Sequence, residues 1–169
     1  MTDTELNSTA AALLGLLHEG PMTGGDLVAT AEARLGGFWS VTRSQVYREL
    51  PVLAERGHLR LGKTGARSAQ PYAITAAGKK AFSRWLSQEP GRDHQRSQVL
   101  LRASFGSLHS AAQRRRLFAA QRRLHEEKLA ALREQARAAK GDPYAKATID
   151  FAVTYERALL KWLDAVAVS

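Results

Sequence analysis

Thr42-Arg43-Ser44-Gln45-Val46-Tyr47-Arg48 is the stretch on which the reading of this chain turns. Thr42 and Gln45 stand in capping-box spacing, which opens a helix. Val46, Leu50 and Leu53 then fall at i, i+4 and i+7 on one face, and Gly57 supplies a left-handed stop. With that face inward, Arg43, Ser44, Tyr47 and Arg48 project from the first turns on the open side, beside Thr42. A recognition helix carries its base-edge and phosphate contacts there: Arg pairs with guanine, Ser and Tyr suit phosphate, and the N-terminal amides attract phosphate. Pro51 lies inside the same helix and removes a backbone bond to Tyr47, so a kink or an early end is expected. Alone, the stretch reads equally well as a solvated amphipathic helix; its neighbours decide between the two.

Upstream, a helix from about Ser8 to His18 carries Leu13, Leu14, Leu16 and Leu17, with Asn7 or Ser8 as cap and Gly20-Pro21 as stop. Thr23 and Asp26 open a second helix with Leu27, Val28, Ala31 and Leu35 at helical intervals, ended by Gly36-Gly37. Downstream of Gly57 the period changes. His58-Leu59-Arg60-Leu61 alternates as a strand does, and Tyr72-Ala73-Ile74-Thr75 suits its partner. Between them GKTGARSAQP is a cationic connection too polar for core, bracketed by Arg60, Lys63 and Arg67. Thr75 caps a helix whose Phe82, Trp85 and Leu86 share a face. Three helices, a hairpin and a helix, in that order, spell a winged helix-turn-helix, whose wing lies over the minor groove or backbone.

Charge agrees with this order. The whole chain carries +9, which favours a polyanionic partner. Residues 1–39 hold one Arg against five acids, a net of −4, whereas residues 40–67 hold six cations against two acids, a net of +4. A basic face on an acidic back suits a small reader of DNA.

EPGRDHQR, residues 89–96, marks a hinge, so the expected domains are 1–90 and 91–169. The second begins with a short helix near Gln95–Phe105, followed by a long one from the Ser110–Gln113 capping box to about Lys140. Gly141-Asp142-Pro143 stops the chain and restarts it into a last helix reaching about Val168. That helix places Tyr144, Phe151, Tyr155, Leu159, Trp162 and Val166 near heptad spacing, a dimer interface, an effector pocket, or both. Residues 91–169 hold fifteen cations against eight acids, a net of +7 that reading DNA does not by itself explain. A solvated face, an anionic effector or flanking DNA would each account for it.

The first half resembles the PadR family of bacterial regulators. Leu13-Leu14-Gly15-Leu16-Leu17-His18-Glu19-Gly20-Pro21-Met22-Thr23-Gly24 is similar to its opening signature. Phe38-Trp39-Ser40-Val41-Thr42, then Gln45-Val46-Tyr47 with Leu50, Leu53 and Gly57, resembles its recognition-helix block, and YAITAAG (Tyr72 to Gly78) its wing exit. Gly25 departs from the pattern, which often has Tyr there. Arg157-Ala158-Leu159-Leu160-Lys161-Trp162-Leu163-Asp164 is similar to the family's final helix, and the length to the long-tailed branch, some of whose members sense phenolic acids. The resemblance implies a repressor in the bacterial cytoplasm, at the nucleoid when bound, acting as a homodimer on a palindromic operator. It also implies ligand sites near the dimerisation helices, so a flat, aromatic, anionic effector is expected where the last helix meets Leu13 and Leu17 of the first helix and the partner subunit.

Other classes fare worse. There is no cysteine, hence no disulfide framework, thiolate metal site or Cys nucleophile. His18, His58, His94, His109 and His125 are scattered and read as surface or helix-end residues, and His125-Glu126-Glu127 lacks a second His at metal-ligand spacing. No phosphate-cradling glycine loop follows a strand, so no enzyme, cofactor or metal is expected. No stretch approaches the about 18 apolar residues of a membrane span, and the acidic start is unlike a secretory leader, which places the chain in the cytoplasm. The expected fold is mainly α with a small β-hairpin wing: an N-terminal winged helix-turn-helix and a C-terminal helical dimerisation domain. The rival reading is a winged-helix module that binds an acidic protein or RNA without operator specificity.

Overall fold

The computed structural model describes residues 5–63, 70–92, 96–139 and 141–167. The chain forms two compact units, Met1–Gly91 and Arg92–Ser169.

The first unit runs α1 (Ser8–Leu16, extended by a 3-10 turn to Glu19), α2 (Gly24–Leu35), α3 (Arg43–Glu55), β1 (Leu59–Leu61), β2 (Tyr72–Ile74) and α4 (Ala76–Leu86). Its helices start where a side chain satisfies orphan amides. Asn7 Oδ1 accepts from the Ala10 amide at 2.8 Å; Thr23 with Asp26 and Thr42 with Gln45 form reciprocal capping boxes. Thr75 Oγ1 accepts from the Gly78 amide and also donates to the Gly57 carbonyl at 2.7 Å, tying the start of α4 to the end of α3. Leu13, Leu14 and Leu17 of the α1 region, Leu27, and Val46, Leu50 and Leu53 of α3 are fully buried in one core, on which Phe82 and Trp85 of α4 pack. Leu86, expected on that face, is exposed instead, because the helix ends there.

The strands pair antiparallel, with Leu59 opposite Ile74 and Leu61 opposite Tyr72. Met22 adds an isolated bridge, exchanging both backbone hydrogen bonds with Tyr72 (3.0 and 2.8 Å), so the loop-side end of the strand pair is anchored to the turn before α2. Gly57, at φ +72°, takes the left-handed turn that swings the chain from α3 into β1.

The second unit holds α5 (Gln98–Ser104), α6 (Ala111–Ala138) and α7 (Pro143–Ala167). Part of the expected hinge lies outside the described residues. α6 and α7 pack as a helical hairpin. Gly141 at φ +94° and Asp142, whose Oδ1 accepts from the Tyr144 amide at 2.9 Å, turn the chain and restart it at Pro143. Val99, Phe118, Leu159 and Leu163 form one core cluster, with Trp162 edge-on to Phe118 at 6.1 Å. Leu129, Leu132, Ala152 and Val153 form a second. Among the described residues no helix is long and apolar enough to cross a membrane.

Candidate nucleic-acid interface

α3 is continuous from Arg43 to Glu55. The early end expected at Pro51 does not occur. Pro51 sits on the exposed side of α3, so the Tyr47 carbonyl deprived of its helical partner is on the wet face rather than in the core.

The first turns present what the spacing required. Thr42, Arg43, Ser44, Tyr47 and Arg48 are all exposed, while Val46, Leu50 and Leu53 point into the core. The Thr42 amide donates to Gln45 Oε1 at 2.8 Å, and the Gln45 amide donates back to Thr42 Oγ1 at 3.3 Å. That box leaves the Arg43 and Ser44 amides, at the positive end of the helix, as the ones able to meet a phosphate. Arg43 lies over the Tyr47 ring, its Cζ 5.2 Å from the centroid, a cation–π distance. Tyr47 is pinned from the other side too. A Cβ built on Gly24 would stand 3.0 Å from the ring, so the bare first turn of α2 is the seat on which Tyr47 rests.

Arg48 reaches 3.6 Å from Glu49 Oε1 yet stays largely in solvent. Glu49 itself is buried, and its Oε2 accepts from Asn7 Nδ2 at 3.1 Å. Asn7 therefore caps α1 with one side-chain atom and holds α3 with the other. Nothing local in the sequence signals that link, which spans 42 positions. In the wing, Arg60 and Lys63 are exposed; Arg67 lies outside the described residues. Phe38 and Trp39, in the turn between α2 and α3, are half exposed.

The second set of expected residues divides. Leu13 and Leu17 are spent in the core of the first unit, which leaves them no surface to offer a ligand or a partner. Leu159 and Trp162 pack inside the second unit. Tyr144 and Phe151 are 82% and 65% exposed, and Tyr155 is exposed at the margin. The reason is rotational: the stripe of α7 buried on α6 runs through Ala152, Glu156, Leu159 and Leu163, one residue on from Phe151 and Tyr155 and so about 100° round the helix.

Two of the histidines expected at the surface or at helix ends lie inside instead. His58 is buried at the start of β1. His125, on α6, is nearly buried, and its Nδ1 lies 2.6 Å from Oε2 of Glu156, a carboxylate with no exposed surface. Lys128 Nζ stands 3.0 Å from the other oxygen as an ion pair. His94 lies outside the described residues. The described residues hold no group of three or more His, Cys, Asp or Glu placed to bind a metal.

These elements define the class: a winged helix-turn-helix protein with a helical C-terminal unit. Residues 13–84 match the model of the transcriptional regulator PadR-like family, and residues 95–168 match the virulence activator alpha C-terminal model. The negative transcriptional regulator PadR of Bacillus subtilis is 28% identical, over 92% of this chain and 93% of its own. The crystal structure of that PadR with operator DNA superposes with a TM-score of 0.80 at 26% identity, covering 96% of this chain and 98% of that one. Its complex with p-coumaric acid gives 0.74 at 25% identity, with coverage of 96% and 98%. Residues 13–84 thus form a domain of the PadR-like family, a family of transcriptional regulators and not of enzymes.

Proposed function

We propose that this chain is a cytoplasmic repressor that binds a palindromic duplex operator as a homodimer and is released by a small aromatic anion. Residues 1–90 read DNA; residues 91–169 pair the subunits and hold the effector. The observation that carries the reading is α3: one face is locked into the core by Val46, Leu50 and Leu53, and the other offers Thr42, Arg43, Ser44, Tyr47 and Arg48 to solvent at a capped, electropositive helix start. Arg60, Lys63 and Arg67 of the wing supply phosphate contacts beside it. The similar PadR was crystallised with operator DNA and with p-coumaric acid, which supports both halves of the proposal. The exposed Tyr144, Phe151 and Tyr155 on α7, with Leu101 and Phe105 of the α5 region, offer the apolar surface that a pairing unit needs.

The deciding experiment is an operator-binding titration with selected genomic fragments. Arg43→Ala or Arg48→Ala weakens the specific site by about 1–3 kcal/mol where that side chain reads a base. Lys63→Ala or Arg67→Ala weakens all duplexes alike and lowers the salt slope by about one for each phosphate no longer neutralised. Unchanged affinity in all four variants refutes the DNA-reading assignment. For the effector, phenolic acids are titrated while operator release is followed, since a ligand acts only through its unequal affinity for the two states. Release that survives Tyr155→Ala and Trp162→Ala in an intact dimer moves the pocket elsewhere.

A further inference from the structure

The +7 excess of the C-terminal half is not used by α3 or the wing, and part of it is gathered in one place. Close to the turn of the α6–α7 hairpin an open groove of about 460 Å³ is lined in part by the small Ala136 and the buried Val153. Arg133 and Arg137 of α6 and Asp150, Thr154 and Arg157 of α7 form its walls. Three arginines from two facing helices thus line one open groove.

Their partners show what that space lacks. Arg137 is paired with Glu134. Asp150, the single carboxylate of the wall, is paired with Lys146 at 2.6 Å. The Thr154 hydroxyl donates to the Asp150 carbonyl at 2.9 Å. Arg133 and Arg157 have no acidic partner among the described residues. The groove is therefore lined by two forks without an acidic partner, one from each helix. Each fork is shaped to take a carboxylate or phosphate edge-on. The volume suits a small molecule.

We propose that this groove binds a small dianion bearing carboxylate or phosphate groups, with Arg133 and Arg157 as its main ligands. The site uses none of the aromatic side chains of α7 and does not depend on the chain binding an operator.

The test uses the full chain and isothermal titration calorimetry with inorganic phosphate and, separately, phthalate, each against sodium chloride of equal ionic strength. One saturable site per chain is expected for at least one of the two anions, and which of them binds distinguishes phosphate from carboxylate chemistry. Arg133→Ala and Arg157→Ala each weaken that binding by about tenfold or more. Arg115→Ala, on an exposed part of α6 about 27 Å along the helix, leaves it unchanged. Absence of a saturable site with both anions overturns the proposal, as does equal weakening by Arg115→Ala. So does a drop in affinity for every duplex in the Arg133 and Arg157 variants while both anion titrations stay silent, which assigns the groove to the DNA backbone. Should the alanine variants unfold, Arg133→Lys with Arg157→Lys keeps the charge and loses the fork. Binding then falls by about threefold or more, and unchanged affinity overturns the proposal.

Discussion

Gly78 lies in the first turn of α4, where that helix crosses the start of β1 so closely that a Cβ would overlap the His58 carbonyl oxygen. Gly78→Ala forces helix and strand apart and costs about 1–3 kcal/mol, read as a lower denaturant midpoint with an unchanged slope. Gly25 is the opposite case, since a Cβ there meets only Thr23 Oγ1 at an ordinary 3.7 Å. Gly25→Ala stabilises by about 0.4–1 kcal/mol, because the unfolded chain loses freedom that the helix never used. Asp26 carries a pH dependence. Hydrogen bonds from the Thr23 hydroxyl and then the Thr23 amide hold its carboxyl below the ordinary carboxylate value. A folded value lowered in this way contributes stability that is present above the unfolded value and lost as pH falls through the folded one. Thermal melts of the wild type and Asp26→Asn therefore differ at neutral pH and converge in acid; a constant difference contradicts the capping role. The caps at Thr23, Thr42 and Ser110 are legible in the sequence because each joins residues three apart. The roles of Glu49 and Gly78 are not, because what they touch lies far along the chain.

At the scale of elements, the helices and the hairpin follow from apolar spacing and from Gly57, Gly141 and Pro143, all local signals. Two features escape that logic. Pro51 forbids one hydrogen bond, but a helix held by Val46, Leu50 and Leu53 on one side tolerates that deficit on its wet side. The buried stripe of α7 lies one residue away from the aromatic spacing, because large aromatics look like core whereas the seam with α6 is filled by Ala152, Val153, Leu159 and Leu163 and by a carboxylate. Glu156 breaks the hydrophobic pattern, so spacing alone does not show that it is buried. Its partner His125 makes the hairpin testable. His125→Ala leaves the buried carboxylate with Lys128 alone and destabilises the chain by about 1–3 kcal/mol in chemical denaturation. An unchanged midpoint contradicts a structural role for the pair. Replacing Glu156 and His125 together by Leu removes both groups and restores most of that stability.

Across the whole molecule, each unit has core clusters of its own, and this separates folding from pairing. A chain ending at Pro90 stays folded but sediments as a monomer with weak operator affinity; a dimer of that length shows that the C-terminal helices are not the main contact. On the proposed two-fold pairing, the two α3 helices are expected one duplex turn apart, so half-sites repeat at about ten base pairs or a multiple. Footprints without that repeat contradict a two-fold reader. The seating of Tyr47 on Gly24 bears on how such regulators come to serve different promoters. Arg43, Ser44 and Arg48 are exposed on α3, so under the proposed reading substitutions there are expected to retune operator preference one at a time. Tyr47 is held by a gap on a neighbouring helix, and exchanging it for a smaller residue opens a hole that Gly24 cannot fill. Divergence at that position is a two-step path through a poorer intermediate, so retargeting proceeds around Tyr47 before it proceeds through it.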